Sequence, residues 1–342
     1  MSRALLTDVD AHPGSRSRPD HHAVIQAMAP AVEAHLTLLA PIERAWQPSD
    51  YLPDAADADW PDRVAGLQRD AAGLSDALLV VLVGDMVTEE ALPGYAMALN
   101  TLVRDDEGTD AGPWARWLRG WTAEENRHGD LLNAYLRLTG RVHMRAVEQT
   151  VQALIANGFS PRTGGDPYQL LVYTSFQERA TRVSHGNVGR LASKEGDPTL
   201  ARICGVIAGD ESRHETFYTR MMGRVLDEDP EGGILAVRAM LRGRVAMPGR
   251  FMDDSQDPDL FDHFAVVAQR TRVYTAHDYA GIIDHLVRTW DIAGRCVQGP
   301  AAQAQEDVCR QAERHHRLAD RTAAALEKQP PVAFSWLSGR VA

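Results

Sequence analysis

The 342-residue chain lacks most features that mark secreted or nucleic-acid-binding proteins. Its three cysteines, Cys204, Cys296 and Cys309, are too few and too scattered for a disulfide framework or a CxxC metal motif. Basic residues are in the minority, with 36 Lys and Arg against 47 Asp and Glu, and the net charge of -11 disfavours nucleic acid as a partner. We therefore expect a cytoplasmic protein in a reducing compartment.

Long apolar runs are also absent from the sequence. The longest, residues 77–83, is far shorter than the roughly 20 residues that span a bilayer, so we expect no membrane span. The opening segment mixes Pro, Ser and Arg with acidic residues and does not resemble a signal peptide. We predict a flexible tail over residues 1–28 and a single domain over residues 29–342, because no linker divides the remainder.

Strand-like alternation is nearly missing, whereas apolar residues recur at i, i+3, i+4 and i+7 over long stretches that end at Gly, Pro or Asp. This pattern predicts an all-α protein. The predicted helices are 30–46, 73–104, 114–138, 144–157, 167–195, 199–227, 231–246, 259–273, 277–292 and 302–326.

One short pattern, acid-Glu-x-Arg-His, occurs twice, starting at Glu124 and at Asp210. Residues three apart on a helix share a face, so the Glu and the His of each copy present a carboxylate and an imidazole to the same point. The two pairs are Glu125 with His128 and Glu211 with His214.

A lone glutamate precedes each pair on an otherwise apolar helix, Glu89 before the first and Glu178 before the second. Two single glutamates and two Glu-x-x-His pairs are the ligand set of the di-iron or di-manganese site in ferritin-like bundles. Oxygen and imidazole donors without thiolate favour iron or manganese over structural zinc. We therefore predict a ferritin-like four-helix bundle with surrounding helices and two iron ions.

The acid before each Glu-x-x-His points about 100° away from the ligands, toward the neighbouring helix. A metal-bound histidine needs a partner on its other ring nitrogen. We expect a crossed arrangement, in which Asp210 holds His128 and Glu124 holds His214.

Seven segments closely resemble the soluble acyl-acyl carrier protein (acyl-ACP) desaturases, the stearoyl-ACP type of plants and actinobacteria, in order from about residue 30 to residue 336. The segments are WQPSDYLP (46–53), LVGDMVTEEALPGY (82–95), WTAEENRHGDLLN (121–133), YTSFQERATRVSHGN (173–187), DESRHETFY (210–218), LFDHFAVVAQR (260–270) and FSW (334–336).

The resemblance implies a homodimer that inserts a cis double bond, of the Δ9 type, into an acyl chain carried on ACP. It makes the same six side chains the ligands of two irons per subunit. It further implies that Trp46 continues an outer chain through Asp210 to His128, and that Thr181 lies beside the dioxygen site as a hydroxyl donor. The sequence has no dinucleotide fingerprint, P-loop or CxxC motif, so electrons have to come from a partner, which the resemblance indicates is a ferredoxin.

Four residues match positions that line the acyl channel in this family, namely Ala98, Thr101, Leu102 and Leu170. Ala98 stands where the plant enzymes typically have Met, and Leu170 where they typically have Gly. Such exchanges reshape a close-packed tunnel without fixing its volume. The preferred chain length and double-bond position therefore stay open.

Three alternatives remain open at this stage. The same metal site supports another oxidation of an ACP-bound chain, such as hydroxylation or further dehydrogenation. An iron-storage or ferroxidase bundle is a second alternative, although its subunits are about half this length. A metal-free scaffold is the third.

For docking of the acidic carrier protein, local arginine patches are the candidates: Arg310, Arg314, Arg317 and Arg321, or Arg141 and Arg145.

Overall fold

The computed structural model describes residues 20–243, 245–326 and 329–342. Helices dominate this part of the chain, and its one β pairing is an isolated bridge between Ala333 and Val341. The α-helices are α1 (His21–Ala27), α2 (Ala29–His35), α3 (Trp60–Ala71), α4 (Asp76–Glu89), α5 (Leu92–Val103), α6 (Pro113–Thr139), α7 (Met144–Asn157), α8 (Pro167–Glu195), α9 (Pro198–Glu228), α10 (Pro230–Gly243), α11 (Leu260–Arg270), α12 (Ala276–Thr289) and α13 (Gly299–Leu326).

Four of these helices form the central bundle. Helix α4 packs on α6 and α8, and α9 packs on the same two helices, so the four enclose a common interior. Helices α10 to α13 cover one side of this bundle, where α10 and α12 pack on α8 and α11 packs on α4. The predicted all-α, ferritin-like architecture is confirmed.

The tightest connection in the bundle joins α8 to α9. Gly196 ends α8 with a φ of 95°, a left-handed conformation that glycine adopts without steric cost. Asp197 then caps α9 by accepting a hydrogen bond from Leu200 N at 2.8 Å. Its other carboxylate oxygen accepts a hydrogen bond from the Tyr135 hydroxyl at 2.5 Å, which ties the connection to α6.

Helix α4 is buried on every side, with all residues from Leu78 to Val87 inaccessible to solvent or nearly so. The sequence analysis placed it in one long helix, 73–104, and the structure corrects this to two, α4 and α5. The break has a physical cause. Pro93 lies in the first turn of α5, and in a continuous helix its ring would clash with the carbonyl of Glu89.

The predicted boundary at residue 28 also differs from the structure. Helix α1 lies inside the predicted tail, yet Ile25 and Met28 are buried, and the Trp114 indole donates to the carbonyl of Ile25 at 2.9 Å. Ile25, Met28 and Val32 follow a helical spacing and share the buried face. Residues 1–19 of the predicted tail lie outside the described residues.

Helix α3 occupies a stretch that the sequence analysis left without secondary structure. It is largely polar, and only Leu67 and Ala71 are buried, so its apolar periodicity is weak. Among the described helices, none is by itself long and apolar enough to cross a membrane, and α3 and α4 meet that criterion only as a pair bent by 116°.

Candidate metal centre

Each of the four central helices directs metal-binding side chains into the bundle. Helices α4 and α8 contribute one glutamate each, and α6 and α9 contribute a Glu-x-x-His pair each. All six residues are at most 7% exposed. They are the six predicted from the sequence: Glu89, Glu125, His128, Glu178, Glu211 and His214.

These side chains form two overlapping groups, and within each group the candidate ligand atoms lie within 4.8 Å of one another. Glu125 and Glu211 belong to both groups. The first group is completed by Glu89 and His128, and the second by Glu178 and His214. Two shared carboxylates between two histidine-containing groups are the arrangement of a carboxylate-bridged pair of metal ions.

Unpaired polar atoms at the centre of this cluster show that the residues fit a metal. Among the described residues, Glu125 Oε1, both oxygens of Glu211, and Nδ1 of His128 and His214 are buried without a hydrogen-bond partner. Buried polar groups are normally satisfied, because an unpaired one is destabilising. A cation among these atoms would satisfy them, so we assign a metal site here.

Two of the clustered carboxylates, Glu178 and Glu211, have pKa values that are shifted in opposite directions. Burial raises the pKa of Glu178 well above its usual range, and the neighbouring charge of Glu125 adds to this effect. Burial acts in the same direction on Glu211, but the imidazoles of His128 and His214, with Nδ1 atoms 3.5 and 3.9 Å from its carboxylate oxygens, outweigh it and lower the pKa of Glu211 to about 2. A cation bound here would displace the proton that the raised pKa favours on Glu178.

The outer nitrogens of the two histidines are held in the crossed arrangement that the sequence analysis predicted. Asp210 Oδ2 lies 3.4 Å from His128 Nε2, and Glu124 Oε2 lies 2.8 Å from His214 Nε2. Each carboxylate thus leaves Nδ1 of its histidine directed at the cluster. Arg213 joins the two acids, at 2.6 Å from Asp210 and 2.9 Å from Glu124.

Trp46 lies at the outer end of this hydrogen-bonded chain. Its indole donates to Asp210 Oδ2 at 3.0 Å, and its ring is nearly parallel to that of His128, with 6.0 Å between centroids. The guanidinium of Arg127 stacks over the indole at 4.5 Å. Since Trp46 is only partly buried, a continuous set of contacts leads from near the surface to the metal ligands.

Thr181 lies one turn beyond Glu178, as predicted, but its hydroxyl bonds to its own helix. It donates to the carbonyls of Gln177 at 3.2 Å and Glu178 at 3.1 Å. The side chain nevertheless borders both the main cavity and a smaller recess at the ligands. Its role toward dioxygen stays a prediction.

The sequence analysis missed a second hydrogen-bonded unit behind Glu89. His185 Nε2 lies 2.6 Å from Glu89 Oε1, and Asp85 accepts from the Ser184 hydroxyl at 2.8 Å. Burial raises the pKa of Asp85 to about 6, although the nearby His185 opposes this shift. A single histidine in a helix has no repeated spacing, so only its place within a family-like segment could have drawn attention to it.

Trp121 was likewise given no role, and its indole donates to Glu178 Oε1 at 3.1 Å. Glu178 and Glu89 therefore both receive a hydrogen bond from outside the cluster. Together with the crossed acids, these contacts fix the orientation of four of the six candidate ligands.

A cavity of about 540 Å³ reaches the metal centre at Glu89 and Thr181. Most of its wall comes from α11, α12, α13 and the segment after α10, and it is mainly apolar, with Phe261, Phe264 and Leu318 among its lining residues. Its volume falls within the ~300–1,000 Å³ typical of ligand pockets.

The four predicted channel residues lie elsewhere, toward α5. None of them borders the large cavity. Leu102 and Leu170 are buried, Ala98 is partly buried, and Thr101 is exposed, with its hydroxyl bonded to the carbonyl of Ala98. Toward α5, a recess of about 20 Å³ borders the ligands and is lined by Leu92 and Tyr95. Their role as channel walls stays a prediction.

Four helices that enclose a buried cluster of carboxylates and histidines define a carboxylate-bridged metalloprotein of the ferritin-like class. The chain belongs to the fatty acid desaturase family, whose model matches residues 20–338. The resemblance seen in the sequence is therefore confirmed.

Two relatives agree with this assignment, and a solved structure supports the fold. The chain is 50% identical over 318 residues to acyl-[acyl-carrier-protein] desaturase 3, chloroplastic, of Oryza sativa subsp. indica, with 91% of this chain and 79% of the relative covered. It is 50% identical over 313 residues to stearoyl-[acyl-carrier-protein] 9-desaturase, chloroplastic, of Olea europaea, covering 91% and 80%. The X-ray structure of acyl-ACP desaturase DesA2 from Mycobacterium tuberculosis H37Rv has a TM-score of 0.52 at 21% identity, covering 83% and 99%, and supports the fold.

Proposed function

We propose that the protein is an acyl-ACP desaturase that introduces a cis double bond into a saturated acyl chain. The observation that carries this function is a mainly apolar cavity of about 540 Å³ that ends at the buried carboxylate–histidine cluster. The relatives named above, at 50% identity, support the substrate class and the Δ9 position.

We further propose that the cluster holds two iron ions per chain, which the two overlapping ligand groups would bind, with Glu125 and Glu211 available to both. The oxygen and imidazole donor set supports iron or manganese, and dioxygen chemistry favours iron. With dioxygen, the metal pair supplies the oxidising power. The overall reaction removes two hydrogens from adjacent methylenes and reduces dioxygen to two waters, with two further electrons and two protons supplied from outside.

The protein's own groups position the reactants and exclude water. Asp210 and Glu124 fix the ring orientation of the ligand histidines through their outer nitrogens. The apolar wall, with Phe261 and Phe264, surrounds the acyl chain and keeps bulk water from the reacting methylenes. Thr181, at the junction of the cavity and the ligands, is placed to hold a proton close to the reacting atoms.

The same proposal includes the partners of the protein. A ferredoxin is the proposed electron donor, and the chain from Trp46 through Asp210 to His128 is its proposed route of entry. A homodimer in the cytoplasm is the proposed assembly.

For the carrier protein, α13 offers the better of the two arginine patches. Its residues His315, Leu318 and Thr322 line the cavity, and Arg314 and Arg321 are exposed on it with no ion pair in the described part of the chain. Arg141, in contrast, donates to the carbonyls of Ala71 and Leu74 inside the fold. The negatively charged carrier would meet free positive charge beside the cavity.

A reconstituted assay tests this function. The iron-loaded protein, ferredoxin, a ferredoxin reductase and acyl-ACPs of several lengths are incubated in air, and the chains are analysed by mass spectrometry. We expect products two mass units lighter than the substrate, and none with Glu178→Ala. Products sixteen mass units heavier than the substrate would indicate that the enzyme hydroxylates the chain and does not desaturate it. Unchanged chains would contradict the proposed function.

A further inference from the structure

The cavity has a second polar region that belongs to neither the metal ligands nor their hydrogen-bond partners. It is formed by residues of α11 to α13 and their connections, namely Gln269, Tyr274, Thr275, Tyr279, His315 and Thr322. Tyr274 differs from its neighbour Tyr279. The Tyr279 hydroxyl accepts a hydrogen bond from Val245 N at 3.1 Å, whereas the Tyr274 hydroxyl is buried and has no hydrogen-bond partner among the described residues.

The backbone around Tyr274 is held rigidly on both sides. Before it, the Asn187 side chain of α8 donates to the carbonyl of Val273 at 2.8 Å. After it, Thr275 caps α12 in a reciprocal pair of hydrogen bonds with Asp278. These contacts fix the backbone from which the side chain of Tyr274, one of the residues that line the cavity, extends.

A buried hydroxyl without a partner is destabilising, and native structures seldom retain one. Burial also raises the pKa of Tyr274 well above its usual range, so the phenol keeps its proton and can donate it in a hydrogen bond at neutral pH. Since no acceptor among the described residues bonds to this hydroxyl, a group that occupies the cavity can supply one.

We propose that the Tyr274 hydroxyl donates a hydrogen bond to a carbonyl oxygen in the head of the substrate, where the acyl chain is joined by a thioester to the amide-containing arm of the carrier. This inference rests on the proposed function. With its carbonyl held at Tyr274, the chain extends along the cavity toward Glu89 and Thr181. Tyr274 then determines which pair of methylenes lies beside the metal, and so the position of the double bond.

The test compares Tyr274→Phe, which removes only the oxygen, with the unchanged protein and with Tyr135→Phe. Tyr135 is a buried tyrosine far from the cavity wall, and its hydroxyl is already bonded to Asp197. Binding is measured for stearoyl-ACP and for an octadecyl thioether of ACP, which has no thioester carbonyl. Melting temperatures and double-bond positions of the products are recorded for the same three proteins.

We expect Tyr274→Phe to weaken stearoyl-ACP binding about fivefold, the effect of one neutral hydrogen bond, and to spread the double bond over neighbouring positions. Its melting temperature should not fall, because no internal bond is lost, whereas Tyr135→Phe should melt earlier and bind normally. If only the thioester ligand is weakened, the contact is to the thioester carbonyl. If both ligands are weakened, it is to an amide of the arm.

Equal binding and an identical double-bond position for Tyr274→Phe and the unchanged protein would overturn the inference. Failure of the proposed function gives a different result, since the unchanged protein would then neither bind nor desaturate stearoyl-ACP.

Discussion

Glu125, like Glu211, belongs to each of the two overlapping ligand groups, so both proposed metal positions depend on it. We expect Glu125→Ala to lose at least half of the bound metal and all measurable turnover, since the remaining side chains offer no spare donor. Metal analysis of the purified variant measures the first effect. Glu148→Ala is the matched control, because Glu148 is exposed and pairs only with Arg137 at the surface. Full metal content in Glu125→Ala would contradict the bridging assignment.

Asp85 gives the metal centre's surroundings a measurable pH dependence. Its pKa is about 6 in the folded protein, above the ordinary 3.8, mainly because it is buried. The folded state therefore holds this proton more tightly than the unfolded state, and the associated stability is lost as the pH rises toward and through 6.

Asp85→Asn abolishes this loss. We compare the free energy of unfolding of the variant with that of the unchanged protein. The difference, variant minus unchanged protein, should increase by roughly 2 kcal/mol when the pH is raised from about 4.5 to about 7. Urea titrations at the two pH values measure the change, with the exposed Asp106→Asn as control. If the free energy of unfolding changes with pH in the same way for Asp85→Asn and for the unchanged protein, burial does not raise the pKa of the Asp85 carboxyl.

The six candidate ligands could be predicted because residues at i and i+3 lie on the same face of a helix, and this spacing of Glu and His occurs twice in the sequence. The crossed acids could be predicted for the same reason. His185 could not, since its contact with Glu89 joins two helices across 96 residues and has no local pattern. Tyr274 could not either, because an unpartnered hydroxyl is recognisable only once its surroundings are known.

At the scale of elements, the contact between α4 and α11 depends on a glycine. A Cβ at position 84 would overlap the ring of Phe264, which lines the cavity. We expect Gly84→Ala to reduce the free energy of unfolding by about 1–3 kcal/mol and to weaken acyl-ACP binding, because the ring has to move.

Unfolding in urea and acyl-ACP binding measure the two effects of Gly84→Ala. Gly281→Ala in α12 is the control, because a Cβ there meets no atom within 4 Å. It should leave stability unchanged or slightly higher, since alanine favours the helix. Similar stabilities for both variants would indicate that α11 is free to shift away from α4.

Elements were predicted well where apolar periodicity was long, as in α6, α8 and α9. The division between α4 and α5 was missed because the residues on both sides of Pro93 remain apolar, so periodicity alone does not show the break. Helix α1 could not be predicted because it is short and has one buried apolar residue, Ile25, whose contact with Trp114 joins segments far apart in the sequence.

For the whole molecule, the metal links chemistry to stability. A ligand that binds only the folded state raises its stability by mass action, by about 2.7 kcal/mol at a hundredfold excess over Kd. We therefore expect chelation to lower Tm by about 3–8 °C and re-addition of iron to restore it. Scanning calorimetry measures the change, and Glu125→Ala should respond much less. A Tm that chelation leaves unaltered would contradict a metal held by the folded bundle.

The cavity that ends at Glu89 also governs how the metal enters and leaves. This cavity is the larger of the two described spaces that border the ligands, so we expect an ion to reach them mainly through the space that an acyl chain would fill. A bound acyl chain would then block the path by which the metal leaves. Iron should pass to a chelator more slowly when stearoyl-ACP saturates the protein. The rate of iron loss would then report the residence time of the acyl chain in the cavity.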